Sequence, residues 1–252
     1  MGECTSDHWF VKAFEEDYMR RYAHRSDAAA RAEVPFLLKW LNVARGARVL
    51  DLCCGAGRHS RALAAAGARV VGVDLSADLL RSASSAAVRK RIGYVRADMR
   101  RLPLQSESCD ACVNLFTSFG YFTTDHQNEL ALNEAARVLK SGARFVMDFM
   151  NAPFVIKHLV AESERTVDCE TIVERRWYDR KAGRLIKTAH GTACGKPIER
   201  FESVRAYTPA ELAALFKKSG LRVVERFGGL TGEPFKAGKS PRCVLVGEKR
   251  GA

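Results

Sequence analysis

The residues best suited to chemistry in this sequence are three aspartates and one glycine-rich loop. Asp51-Leu52-Cys53-Cys54-Gly55-Ala56-Gly57 follows a short apolar run, and Asp74 and Asp98 each close another. Glycine lets a backbone turn sharply and approach a ligand, so Gly55 and Gly57 suit the strand end where open α/β sheets bind small molecules. A carboxylate at Asp74 can accept both hydroxyls of a ribose. One at Asp98 can accept an exocyclic amine, and the thioether of Met99 can pack on a purine face. Any one of the three could instead be a turn or cap residue, since aspartate is common there. All three together with the glycine loop point to a nucleoside-containing ligand. The last glycine of a dinucleotide fingerprint GxGxxG is replaced by Ser60.

These residues need elements to hold them, and the pattern of apolar runs supplies those elements. Strands are expected at 48–52, 68–73, 92–96, 111–116 and 143–149, with helices at 58–66, from the Ser76 cap to about 88, and at 126–140 before the stop signal Ser141-Gly142. Short apolar strands separated by helices predict a doubly wound α/β domain with a mostly parallel sheet. After Asn151 the pattern changes to alternation, which predicts a small antiparallel lobe of about three strands over 166–207, inserted after the fifth strand. Thr208 then caps a helix to 219, and strands near 221–227 and 243–248 complete a seven-stranded sheet. The first 42 residues hold one or two helices. Phe10, Phe14, Tyr18 and Tyr22 recur every fourth position there, and Phe10 and Phe14 are expected to face the core.

From about residue 48 to 149 the sequence resembles the class I S-adenosylmethionine-dependent methyltransferases, on the Asp51–Gly57 loop, Asp74 and Asp98-Met99. The resemblance implies a Rossmann-like core at 45–150. Asp51, Cys53, Gly55 and Gly57 would cradle the methionine part of the cofactor. Asp74 would hold ribose, Leu75 beside it would also bind the cofactor, and Asp98 and Met99 would border adenine. Leu115 and Phe116 would flank the cofactor at the end of the fourth strand. Residues 1–44 would form a helical cap over it, with Tyr22 and Arg25 near its carboxylate. Residues 151–207 would form an acceptor roof or dimer contact, and 208–252 would complete the core. An NAD-binding fold also places an acid after its second strand, but it leaves Asp98-Met99 unexplained.

The segment 114–122, Asn-Leu-Phe-Thr-Ser-Phe-Gly-Tyr-Phe, resembles the loop over the reacting centre in small-molecule N-methyltransferases. Ser118 and Tyr121 are the catalytic candidates, with His126 as a base candidate. Tyr18, Phe119, Arg176 and Tyr178 are the acceptor-binding candidates, Arg176 as a cation for an acidic group. Phe116 and Phe122 are also expected as core residues. The segment lacks the two prolines found in enzymes that methylate base or amide nitrogens. An amine carries its lone pair ready, whereas a hydroxyl needs a base; with no clear base in the sequence, N- or S-methylation of a small molecule is favoured over O-methylation. The alternatives are an RNA or protein methyltransferase and a non-catalytic S-adenosylmethionine-binding protein.

Composition bounds these readings. The 252 residues are 47% hydrophobic and 28% charged, a globular balance that excludes a disordered chain. Lysine and arginine outnumber acids 41 to 29, a net charge of +12, yet the cations are scattered without interleaved aromatics, which argues against a nucleic-acid platform. Cys109 and Cys112 form a lone CxxC without a second pair, so no metal is expected. No apolar run approaches the roughly 20 residues of a membrane span, and the N-terminus lacks the order of a secretory signal. The expected setting is cytoplasmic, as a monomer or homodimer.

Overall fold

The computed structural model describes residues 9–14, 26–85, 91–167, 170–193 and 196–251. The elements are, in order, α1 (Trp9–Ala13), α2 (Asp27–Leu41), β1 (Arg48–Leu52), α3 (Arg58–Ala65), β2 (Arg69–Asp74), α4 (Ala77–Ser85), β3 (Ile92–Arg96), β4 (Cys109–Asn114), α5 (Asp125–Val138), β5 (Leu139–Met150) and α6 (Ala152–Lys157). The lobe follows as β6 (Glu162–Val167), β7 (Glu170–Asp179), β8 (Arg184–Ala193) and β9 (Lys196–Arg205), then α7 (Pro209–Lys218), β10 (Leu221–Phe227) and β11 (Arg242–Lys249). Among the described residues the main sheet has seven strands in the order β10-β11-β5-β4-β1-β2-β3, with β11 antiparallel to both neighbours and the other pairs parallel.

Alternation along the central strands divides the core between the two sheet faces. Leu50 and Leu52 of β1, Phe145, Met147 and Phe149 of β5, and Cys243 and Leu245 of β11 pack on one side with α5 and α7. Val49, Val146, Val244 and Val246 pack on the other with Leu37 and Leu41 of α2 and Leu63 of α3. Both faces are therefore covered, as the apolar runs predict. The second sheet is antiparallel throughout, in the order β6-β7-β8-β9.

Three element readings are corrected. The lobe has four strands rather than three, because the polar run Glu162–Val167 pairs along β7 as an edge strand. Helix α5 stops at Val138, before the expected Ser141-Gly142. Leu139 is already extended (φ −73°, ψ 140°), and the amides of Glu107 and Ser108 bond to the carbonyls of Arg137 and Val138. Strand β4 ends at Asn114 rather than Phe116. Phe116 and Thr117 both adopt left-handed backbone conformations (φ 58° and 59°), which stops the strand.

Candidate functional site

The loop from β1 into α3 turns through Cys53, Gly55 and Gly57, all at positive φ. At Gly57 (φ 74°) a side chain would also collide with the Tyr94 hydroxyl, so glycine is required for two reasons. Asp51 does not reach the ligand side of this loop. It is buried beneath it, accepting the Ser60 hydroxyl at 2.5 Å, and burial raises its carboxyl above the ordinary range despite the opposing charge of His59. His59 is itself held by Glu33 at 2.7 Å.

A cavity of about 650 Å³, mouth included, opens at the carboxyl ends of β1, β2 and β3. Asp74 forms one wall. Its two oxygens accept the Gly55 amide at 2.8 Å and the Ser76 amide at 2.9 Å. Burial raises its carboxyl, against the pull of those two N–H groups. The Ser76 hydroxyl caps α4 at the Leu79 amide and donates to the Phe14 carbonyl at 2.6 Å, which ties the N-terminal segment to the cavity rim. Asp98 also lines the cavity, but the Arg100 guanidinium spans its carboxylate at 2.6–3.1 Å. Burial would raise that carboxyl; the Arg100 side chain and amide outweigh it and hold it below the ordinary value. The Cys53 thiol faces Met99 at 3.7 Å, and burial together with Asp74 pushes its pKa well up, which keeps it protonated.

The opposite wall is aromatic. Tyr121 lies 5.4 Å from Phe14 and 5.3 Å from Trp9, and Phe122 lies 5.3 Å from Phe10, centroid to centroid. Ser118 completes this wall with its hydroxyl on the Leu115 carbonyl. Beneath it, the buried Asn114 donates to the carbonyls of Leu52 and Ser118, joining the ends of β1 and β4. Asp148, fully buried, accepts the Phe116 amide at 2.9 Å and pairs with Arg242, while its carbonyl accepts the Thr117 amide. The guanidiniums of Arg58 and Arg242 lie 4.0 and 4.7 Å from the Phe116 ring. These contacts hold two consecutive left-handed residues that would otherwise cost about 1–2 kcal/mol each.

Cys53, Gly55, Asp74, Leu75, Asp98, Met99, Ser118 and Tyr121 thus meet at one cavity. Other candidates stand elsewhere. Gly57 is in the turn that shapes the loop. Leu115 and Phe116 pack on the opposite sheet face. Phe119 is 2% exposed, packed on Tyr207 and Phe149 in the core. His126 is exposed on the first turn of α5. Arg176 is committed to Glu174 and the Ser163 hydroxyl in the lobe, and Tyr178 lies on the same strand, neither lining the cavity. Tyr18, Tyr22 and Arg25 lie outside the described residues. Sequence reasoning missed Phe10, Phe14 and Phe122 as cavity walls. Their spacing was visible, but a stripe that packs on a core and a stripe that lines a cavity look alike.

Residues 49–142 match the family profile described as a methyltransferase domain. This stretch is a methyltransferase domain. Within curated relatives, the ubiquinone/menaquinone biosynthesis C-methyltransferase of Syntrophotalea carbinolica is 38% identical over 111 residues, 42% of this chain and 45% of that protein. The chain thus spans about half the length of that relative. The cypemycin N-terminal methyltransferase of a Streptomyces species is 28% identical over 229 residues, 85% of this chain and 89% of that protein. Among solved structures, the CcbJ methyltransferase of Streptomyces caelestis has a TM-score of 0.80 at 20% identity, covering 98% of this chain and 100% of that one. The methyltransferase domain includes the cavity residues from Leu52 to Phe122. The fold likeness extends over the lobe as well.

Proposed function

We propose that this protein is an S-adenosylmethionine-dependent methyltransferase acting on a small-molecule acceptor through a nitrogen. The observation that carries this is the cavity itself: acids and a glycine turn on one wall, aromatic rings and a serine on the other. The donor set suits the cofactor. Asp74, fixed by the Gly55 and Ser76 amides, would hold the ribose hydroxyls. Leu75 and Met99 would flank adenine, with Asp98 at its edge. S-adenosylmethionine supplies an electrophilic methyl group on a sulfonium cation. The Phe14 ring would offer that cation an attractive face, while Tyr121 and Phe122 would border the acceptor side and keep water away.

Nothing in the described cavity lining is suited to deprotonate a hydroxyl. Its carboxylates are Asp74 and Asp98, both engaged, and it includes no histidine or lysine. A neutral amine needs placement more than a base, and placement at about 3–3.5 Å can supply several kcal/mol. The N-terminal methyltransferase activity in the name of the cypemycin enzyme, a relative along most of this chain, supports nitrogen as the acceptor atom.

The test begins with thermal unfolding in the presence of S-adenosylmethionine, S-adenosylhomocysteine or NAD. A ligand at about 100 times its Kd adds roughly 2.7 kcal/mol, a rise of roughly 5–11 °C for a chain this size. The two sulfur nucleosides should raise the Tm and NAD should not; a rise with NAD alone would overturn the cofactor reading. Release of S-adenosylhomocysteine on a panel of small amines, thiols and phenols then tests the acceptor. Turnover confined to phenols would reject the nitrogen reading.

A further inference from the structure

Arg184, at the start of β8, is a buried cation without a carboxylate partner among the described residues. It is 9% exposed, and its guanidinium is surrounded by oxygens from two parts of the molecule. From β9, Ser203 presents its hydroxyl to Nε at 2.7 Å and its carbonyl to Nη2 at 2.8 Å. From the loop after β4, three consecutive carbonyls converge on it: Phe122 on Nη1 at 2.8 Å, and Tyr121 and Gly120 on Nη2 at 3.1 and 3.2 Å. The Gly120 carbonyl also accepts the Arg205 amide at 2.8 Å, at the end of β9. Such a site needs arginine. Three of these oxygens share the two hydrogens of Nη2 and the others take Nε and Nη1, a planar spread that lysine, with three donors from one point, cannot reproduce.

Two of the three carbonyls belong to Tyr121 and Phe122, whose rings form the cavity's aromatic wall. We propose that Arg184 is a positioning residue that fixes this wall to the lobe, so that the placement of the acceptor, not of the cofactor, depends on it. This rests on the methyltransferase reading for the identity of the two ligands; the clamp itself rests on the hydrogen bonds alone. The asymmetry follows from where the bonds go. Arg184 donates to residues 120–122, and none of its hydrogen bonds reaches Gly55, Asp74 or Asp98. A residue supporting only general stability would affect both walls alike.

The experiment compares wild type, Arg184→Lys and the milder Ser203→Ala, each as the full chain. Amide hydrogen exchange is followed by mass spectrometry, and S-adenosylhomocysteine affinity by calorimetry. In Arg184→Lys, peptides covering 115–124 and 184–205 should exchange at least 10-fold faster, while those covering β1 and β2 stay unchanged. Ser203→Ala should show the same pattern, more weakly. S-adenosylhomocysteine affinity should stay within about twofold. On the amine that the acceptor panel yields, the acceptor KM should rise at least fivefold, with the cofactor KM unmoved. Unchanged exchange at 115–124 in both variants, or equal acceleration in every peptide of Ser203→Ala, would overturn the clamp. An equal loss of cofactor and acceptor binding would overturn its acceptor-side role. Failure of the panel would count against the methyltransferase reading alone, since the exchange pattern decides the clamp without turnover.

Discussion

Asp74 and Asp98 illustrate how two carboxylates at neighbouring strand ends come to behave differently. Asp98 has a guanidinium laid across it and stays ionised well into acid. Asp74 has two backbone amides and, among the described residues, no cation hydrogen-bonded to it, and burial raises its pKa. As pH falls, Asp74 therefore takes up its proton before an ordinary carboxyl would. If its charged oxygens hold the ribose, S-adenosylhomocysteine affinity should fall on the acid side, starting above the usual carboxylate pKa of about 4. Asp74→Asn should lower affinity roughly 10- to 150-fold at neutral pH, about the 1.5–3 kcal/mol of a hydrogen bond to a charged group. The variant should also lose that acid limb. Calorimetry from pH 4.5 to 8 measures both, and an affinity equal to wild type would remove Asp74 from the site. Residue type and spacing made both acids legible in the sequence. The partner of Asp98 was not, because Arg100 two residues on could equally have pointed to solvent. Phe119 and Phe122 have the same side chain three positions apart and both are buried in the core, yet only Phe122 also borders the cavity. That depends on the turn between them, which no local pattern in this sequence announces.

That turn belongs to the scale of elements. Most strands and helices could be read from apolar runs, because both sheet faces are buried and α2, α4, α5 and α7 carry side-chain caps, among them the Thr208–Glu211 capping box of α7. The ends were less legible where a distant group decides them. Strand β4 stops because Asp148 on β5, 32 residues on, captures the Phe116 amide and is itself secured by Arg242 on β11. The edge strand β6 is too polar to show a period, and it forms because β7 offers it a ladder. Removing one member of a buried ion pair costs about 3–5 kcal/mol. Arg242 is 30% exposed, so Asp148→Asn belongs near the lower end of that range. Urea unfolding of Asp148→Asn should show a lower midpoint with an unchanged m-value. A midpoint within error of wild type would mean that the two left-handed residues hold themselves without the carboxylate.

At the scale of the whole molecule, the cavity is a product of three parts distant in sequence. The main sheet supplies its acids, the loop after β4 its rings, and α1 closes it. Trp9 of α1 packs against both the loop and the lobe, 6.2 Å from Phe14, 5.3 Å from Tyr121 and 6.3 Å from Phe201 on β9. The sequence contains two other tryptophans. Trp40 packs on Phe227 across the opposite sheet face, and Trp177 stands 43% exposed in the lobe. The three therefore report on three separate regions. A ligand held by Asp74 must press against Phe14, which Trp9 touches, and neither Trp40 nor Trp177 shares that contact. S-adenosylhomocysteine should accordingly change tryptophan emission in wild type, Trp40→Phe and Trp177→Phe, and leave it unchanged in Trp9→Phe. Retention of the signal in Trp9→Phe, with loss in Trp177→Phe, would place ligand closure in the lobe. Loss in Trp40→Phe would place it on the far side of the sheet. Calorimetry on Trp9→Phe separates a silent reporter from lost binding, because phenylalanine keeps the aromatic packing while removing the indole. Normal affinity with a silent signal is the result that α1 closing the cavity requires.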